Sequence, residues 1–283
     1  MPEQALRLLG PAFLAAFGAL AVDRLCAARG LLPPGFAQPW RRIGGGLVLA
    51  GILWIGVFLP LGQLGLEPAE ELSQVPVWQL FVLHMLLVAT LLVWFALGFG
   101  DQAQPGRVFA RQFGFAAERL PSELGLGVVL GLAAWVATLL ALLATALAIY
   151  LVAGEDALPQ EPPALVPWIA GLPVAVRVLI SLSAGVVEET FFRGFLQPRA
   201  GIALSTFFFV LAHLSYGQPI MLVGITLLSL IYAFLTKWRQ TIWPAITAHA
   251  LFDAVQLLVV VPAALRMIEP RGVVEAVGWL AIW

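Results

Sequence analysis

Apolar residues occur along this chain in long runs, and the connections between the runs hold most of its charged residues and many of its prolines. Runs of about 20 apolar residues with few charges are typical of membrane-crossing helices. The pattern therefore predicts an all-α fold, a polytopic transmembrane bundle of about eight helices. The predicted segments are residues 8–28, 43–64, 78–99, 124–153, 173–197, 201–216, 219–236 and 242–262, followed by an apolar tail at 273–283.

The composition supports an integral membrane protein, since 61% of the 283 residues are hydrophobic and 11% are charged. Soluble proteins carry about twice that share of charge. The net charge is −1 and no basic run occurs, so we expect no nucleic-acid partner. The single cysteine, Cys26, excludes an internal disulfide and argues against a cysteine-based metal site. Richness in Ala, Leu and Gly, with Arg far exceeding Lys, indicates a GC-rich bacterial gene and hence a bacterial inner membrane.

The connections alternate in charge. Residues 29–42 and 100–123, and the turns near 199 and 238, carry Arg or Lys, whereas the loops 65–77 and 154–165 carry only acidic charges. The positive-inside rule places the basic connections in the cytoplasm and both termini outside. Ala19-Leu20-Ala21 resembles a signal-peptidase site, but most nearby arginines follow the first segment rather than precede it. An uncleaved anchor is therefore favoured over a secretory signal.

Ionisable side chains inside membrane spans are costly and mark functional sites by default. Three predicted helices carry such groups at depth: Glu188, Glu189 and Arg193 on 173–197, His213 on 201–216, and His249 and Asp253 on 242–262. A rise of about 1.5 Å per residue places Glu188, His213, His249 and Asp253 at roughly 13–19 Å from the basic connections. The sequence thus predicts one polar cavity within the membrane, open to cytoplasmic water.

Helical spacing suggests different roles for the two adjacent glutamates. Glu189 and Arg193 are four residues apart and can form an ion pair. Glu188 is rotated about 100° from its neighbour and lacks a local partner, so it is the better candidate for chemistry. His249 and Asp253 also share a helical face. A carboxylate beside two histidines can activate water and protonate a leaving group.

Two further polar residues receive structural interpretations. His84, on the third segment, is expected to be an interhelical hydrogen-bond donor, and Arg177 is expected to extend to the outer interface. A polar cluster that only holds a bundle together is the structural alternative for the whole set.

Three motifs occur in order: Glu-Glu-x-x-x-Arg at 188–193, Phe-x-x-x-His at 209–213 and His-x-x-x-Asp at 249–253. Together they resemble the CPBP family of glutamic intramembrane proteases, which includes the type II CAAX prenyl endopeptidases and Abi-type bacterial relatives. The resemblance covers about residues 165–262. We therefore expect one integral membrane domain over 1–283, with a protease core at 165–262 and additional N-terminal transmembrane helices at 1–153.

The resemblance implies an intramembrane endopeptidase in which Glu188 is the general base and His213 helps to hold the hydrolytic water. Glu189 would pair with Arg193, and His249 with residue 253 would stabilise the oxyanion. Many relatives have Asn at the last position, whereas this chain has Asp253. An ionised carboxylate would repel an oxyanion, so Asp253 is either protonated or orients His249, and we favour orientation.

Other assignments of the same residues remain open. The implied mechanism needs no metal, but Glu188, His213 and His249 are a possible zinc set, although no His-Glu-x-x-His sequence occurs. Two alternative functions are a non-catalytic scaffold or immunity-type protein and a proton-coupled transporter. The sequence shows no internal repeat of the kind typical of transporters, which makes the transporter the less favoured alternative. The expected partners are the lipid bilayer and a membrane-embedded or lipidated protein or peptide.

Overall fold

A computed structural model describes residues 2–63, 76–159, 163, 165–214 and 218–268. Most of the predicted acidic loop 65–77, including its three glutamates, lies outside the described residues. The same holds for Glu161, for residues 215–216 of the sixth predicted segment and for the apolar tail at 273–283.

The described residues form helices and no β-strand, which confirms the predicted all-α bundle. Several long helices contain a π-helical turn. The helices are α1 (Pro2–Ala28), α2 (Pro39–Leu53, then π-helical Trp54–Phe58 and Leu59–Gln63), α3 (3₁₀ turn Val77–Phe81, then Val82–Phe99), α4 (Pro105–Gln112), α5 (Leu120–Ala153), α6 (Leu165–Ala170), α7 (Val174–Glu189, then π-helical Thr190–Leu196 and Gln197–Ala200), α8 (Ile202–Ala212), α9 (Pro219–Arg239) and α10 (Trp243–Val255, then π-helical Gln256–Val260 and Val261–Ile268).

Six of these helices, α1, α2, α3, α5, α9 and α10, are long and apolar enough to cross a membrane, which makes the chain a multi-pass integral membrane protein. The other two predicted spans correspond to α7 and α8. Helix α7 carries both glutamates and Arg193, and α8 has 11 residues, which is about 16 Å and too short to span. Of the predicted chemical groups, Glu188, Glu189 and Arg193 therefore lie on a helix outside the six, whereas His249 and Asp253 lie on α10, which is one of them.

Prolines mark several of the helix boundaries, both where these agree with the predicted ones and where they differ. Helices α2 and α9 begin at Pro39 and Pro219, because proline at the first helical position loses no hydrogen bond. The fifth predicted segment ends at 197, directly before Pro198, but α7 continues through that proline to Ala200. The π-helical turn just before Pro198 already departs from the i→i−4 pattern that proline would interrupt. Helix α4 was not predicted, because it is short and charged.

Small residues bring α5, α7 and α10 into close contact. A Cβ atom on Gly131 of α5 would lie 2.8 Å from the Cα of Ala248, and one on Gly185 of α7 would lie 2.8 Å from the carbonyl oxygen of Ile246. Glycine at such positions is typical of closely packed membrane helices. Helix α10 is therefore held between α5 and α7, which fixes the position of His249 relative to α7.

The bundle has two chemically different ends. We call the end with the connections 29–38, 100–119 and 240–242 the basic end, and the end with residues 154–159 and 163 the acidic end. Exposed aromatic side chains mark both ends, Trp40 and Trp238 at the basic end and Trp78 and Tyr150 at the acidic end. Such belts are typical of the two membrane–water interfaces.

Candidate active site

The adjacent glutamates lie where α7 changes from α-helical to π-helical. Glu189 is the last α-helical residue before Thr190–Leu196. Consecutive helical residues point about 100° apart, so the two carboxylates have different surroundings. The Glu188 side chain is 17% exposed and lines a cavity, whereas Glu189 is fully buried.

The Glu189 carboxylate and the Arg193 guanidinium together join three helices, α7, α9 and α10. Glu189 Oε1 accepts a hydrogen bond from Arg193 Nη1 at 3.0 Å, as the spacing predicted, and it lies 2.8 Å from His249 Nδ1. Arg193 also donates to the carbonyl and hydroxyl oxygens of Ser229, at 3.1 and 3.0 Å. Its guanidinium lies 4.3 Å from the ring centroid of Phe209. The sequence predicted the ion pair but not the contact with His249.

His249 is oriented on both sides of its ring. Because Nδ1 donates to the Glu189 carboxylate, Nε2 faces Asp253, whose Oδ2 lies 3.6 Å away. That distance is too long for a hydrogen bond but close enough for an electrostatic interaction. The imidazole also stacks on Tyr232, with 5.3 Å between centroids and 19° between planes. Nε2 is therefore the atom through which His249 can act in the cavity.

Glu188 has two histidine neighbours that lie outside α7. Its Oε1 lies 3.4 Å from His84 Nε2 and its Oε2 lies 3.9 Å from His213 Nε2. The sequence offered Glu188 no partner on its own helix, and both neighbouring histidines come from elsewhere in the chain. His84 is an interhelical contact, as predicted, but its partners are Glu188 and Ser183.

Both of these histidines direct the same ring atom at Glu188. The Ser183 hydroxyl donates to the Ile180 carbonyl, so it can accept from His84 Nδ1, which is 3.1 Å away. His213 Nδ1 lies 2.7 Å from the Phe209 carbonyl and donates to it. The hydrogen-bond network thus assigns the Nδ1 protons and leaves both Nε2 atoms facing one carboxylate.

The local fold explains the position of His213. It directly follows Ala212, the last residue of α8, where helical carbonyls lack intrahelical donors. The ring satisfies one of them, at Phe209, and lies against the Phe209 side chain with 4.5 Å between centroids. The Phe-x-x-x-His spacing is therefore a helix-terminating contact that also aims the imidazole.

One cavity of about 320 Å³ is lined by Glu188, His84, His213, His249 and Asp253. Glu189 and Arg193 do not line it but support His249 from behind. The lining continues through apolar side chains to residues at the acidic end, which are Leu80, Pro163, Leu165, Val166 and Val261.

The sequence predicts an opening at the basic end, whereas the described lining residues extend toward the acidic end. Counting residues along helices gives a distance from each end, but it does not show which end is filled by side chains. Between the site and the basic end lie the fully buried Phe191, Phe195 and Arg193. On the other side, the cavity continues past the short helix α8 toward the acidic end.

Arg177 also differs from its prediction. Its Nη1 donates to the Leu257 carbonyl at 2.8 Å instead of extending to the interface. Leu257 lies in the π-helical turn Gln256–Val260 of α10, where the hydrogen-bond pattern differs from that of an α-helix. Arg177 thus ties α7 to α10 beside the cavity.

The geometry can also be compared with a metal site. Among the described residues, no group of three His, Cys, Asp or Glu side chains is arranged to hold a metal ion. Of the suggested zinc set, the His249 Nδ1 atom is engaged by Glu189, and Glu188 and His213 approach no closer than 3.9 Å.

Sequence reasoning did not predict the contacts of His84 with Glu188 and Ser183, or of Tyr232 with His249. The available signal was the histidine count, since His84 is one of only three in the chain and sits on an apolar segment. It lies 104 residues before Glu188, so no spacing rule connects the two.

Comparison with known proteins gives two findings. Residues 170–255 match the family model described as type II CAAX prenyl endopeptidase Rce1-like. The match falls inside the predicted core at 165–262 and contains all three motifs, but not His84.

A curated relative, the uncharacterized protein YpbD of Bacillus subtilis strain 168, is 27% identical over 79 residues. That similarity covers 28% of this chain and 42% of the relative, so the chain spans less than half of the relative's length. No solved structure gives a significant match.

Proposed function

We propose that this chain, whose residues 170–255 match the Rce1-like family model, is an intramembrane endopeptidase that hydrolyses a peptide bond of a membrane-embedded or lipidated protein. The observation that carries the proposal is the placement of Glu188 between the Nε2 atoms of His84 and His213, with His249 and Asp253 on the same cavity.

In this mechanism Glu188 accepts a proton from a water molecule held by the facing histidines. The water oxygen attacks the carbonyl carbon of the scissile bond, and the carbonyl oxygen gains negative charge. As the carbon–nitrogen bond breaks, Glu188 returns the proton to the leaving amine. The Oε2 atom of Glu188 accepts no hydrogen bond, which supports this role, because a base that already accepts strong hydrogen bonds is less able to take a proton.

His249 is proposed to stabilise the developing oxyanion through Nε2. Glu189 fixes the ring by accepting from Nδ1, in the way that buried carboxylates orient catalytic histidines. Asp253 lies on the Nε2 side, so it can hold a proton on that nitrogen until the oxyanion forms. This assigns Asp253 the orienting role rather than a direct contact with the oxyanion.

The substrate is proposed to enter from the acidic end. The cavity walls in that direction are apolar, with Leu80, Leu142, Ile169, Ile180 and Leu257 among the lining side chains, which suits a hydrophobic or lipidated segment. By the positive-inside rule the basic end faces the cytoplasm. We therefore propose that the site opens toward the opposite side of a bacterial inner membrane.

The proposal is tested by comparing membrane proteomes of cells that carry wild-type protein or Glu188→Gln. A precursor that accumulates only with Glu188→Gln is expected. Glu118→Gln is the matched control, because Glu118 is exposed and remote from the cavity lining. A scaffold would tolerate Glu188→Gln, and a transporter would show no precursor. Either outcome would contradict the proposal.

A further inference from the structure

A second cavity, of about 480 Å³, lies at the basic end. It is formed where the connection before α5, the α7–α8 turn and the α9–α10 connection meet. Its charged lining residues are Arg111, Arg193, Arg199 and Lys237, and no Asp or Glu lines it. We call it the basic pocket. It is separate from the candidate active site, since the two cavities share no lining residue.

Arg199 is an unusual component of the basic pocket. It is 3% exposed and packs against the aromatic rings of Trp94 and Phe195, 4.6 and 4.7 Å from their centroids. Its Nη1 donates to the Phe195 carbonyl at 2.9 Å and its Nη2 lies 3.5 Å from Gln112 Oε1.

Among the described residues no carboxylate forms an ion pair with Arg199, and its Nε has no hydrogen-bond partner. Buried charges in proteins are normally paired. The basic pocket therefore holds a buried cation that has a free donor and lacks a protein counter-ion.

The first turn of α8 adds donors to the same pocket. Gly201 and Ile202 line it, and no side chain caps the helix, which follows Gly201 at a φ of 93°. Free backbone N–H groups at a helix N-terminus attract anions. Arg29 donates to the Arg199 carbonyl at 3.1 Å and holds this turn in place.

The position of the basic pocket matches the level of lipid headgroups. Trp238, which is 63% exposed, directly follows Lys237, and the similarly exposed Trp40 lies at the same end. Exposed tryptophans mark the membrane–water interface. Juxtamembrane basic residues attract anionic lipids.

We propose that the basic pocket binds a phosphate group, supplied either by the headgroup of an anionic phospholipid or by a soluble phosphate compound. A phosphate has the acceptor oxygens that Arg199, the α8 N-terminus, Arg111 and Lys237 can engage together. The proposal does not depend on peptide hydrolysis, because it concerns binding at a different cavity.

The test uses the purified full-length protein and the double variant Arg111→Gln/Lys237→Gln. Both residues are exposed, so folding should be preserved, which circular dichroism checks. The matched control is Arg24→Gln/Arg107→Gln, which removes the same charge from exposed residues at the same end but outside the pocket lining. The protein is reconstituted with equal amounts of phosphatidylglycerol and phosphatidylcholine, and native mass spectrometry then measures which lipid it retains. In a separate experiment, thermal unfolding in detergent measures whether inorganic phosphate stabilises the protein.

Removal of two basic residues near a headgroup is expected to weaken binding roughly 30-fold, while the control retains wild-type binding. Retention of phosphatidylglycerol alone identifies the lipid as the source. Stabilisation by inorganic phosphate that is lost in the double variant identifies a soluble source. Equal binding by wild-type protein and the double variant, or equal loss in the control, would overturn the proposal.

Discussion

The two adjacent glutamates are expected to fail in different ways when each is changed to glutamine. In Glu189→Gln the fully buried Arg193 loses its counter-ion. The new amide nitrogen can replace Oε1, which accepts hydrogen bonds from Arg193 and His249, or it can replace Oε2, which has no hydrogen-bond partner. Breaking a buried ion pair from one side costs about 3–5 kcal/mol. Since proteins are stable by about 5–15 kcal/mol, this variant should unfold at a clearly lower temperature.

Glu188→Gln should keep its stability and lose activity. The Glu188 side chain is 17% exposed, its Oε2 has no hydrogen-bond partner, and its histidine neighbours lie at 3.4 and 3.9 Å. The expected change in unfolding free energy is therefore below about 1 kcal/mol. Loss of a general base should lower the rate by about 10²–10⁴-fold.

Thermal unfolding in detergent, followed by the fluorescence of the ten tryptophans, measures the stability of both variants. Cleavage of the substrate identified by proteomics measures their activity. The assignment of roles would be refuted if Glu188→Gln cleaved at the wild-type rate. It would also be refuted if Glu189→Gln were as stable as wild type while Glu188→Gln unfolded.

Three further predictions concern the site. His84→Ala should lower kcat by about 100-fold, because Glu188 is misplaced, and it should alter the pH–rate profile. If His84 were purely structural, the substitution would change only the unfolding temperature. Asp253→Asn should retain measurable cleavage with a changed pH–rate profile, because an amide can also contact His249; complete inactivity at every pH would contradict the orienting role. In intact cells an impermeant maleimide should label Glu155→Cys at the acidic end but not Arg107→Cys at the basic end, with little background from the buried Cys26. The reverse labelling would place the acidic end, and with it the proposed site opening, in the cytoplasm.

The apolar pattern predicted the bundle because lipid requires each span to satisfy its backbone hydrogen bonds within itself. The same constraint makes an ionisable group in a span conspicuous, so Glu188, His213 and His249 could be chosen before any coordinates. Spacing within one helix also predicted the Glu189–Arg193 pair.

Contacts between helices distant in sequence could not be predicted in this way. The approach of His84 to Glu188 depends on how α3 packs on α7, and the link from His249 to Glu189 depends on the close contact at Gly185. Such packing is determined by small residues and local side-chain shape rather than by periodicity. The π-helical turns and the direction of the cavity likewise have no signature in hydropathy.

The most direct test of the central claim uses reconstituted protein, isolated membranes and water enriched in ¹⁸O. If Glu188 activates water for attack on a peptide bond, wild-type protein will generate new carboxyl termini that carry one ¹⁸O atom each, detected by mass spectrometry. The Glu188→Gln variant will generate none above background. Absence of new termini with wild-type protein, or equal numbers with the variant, would contradict the account.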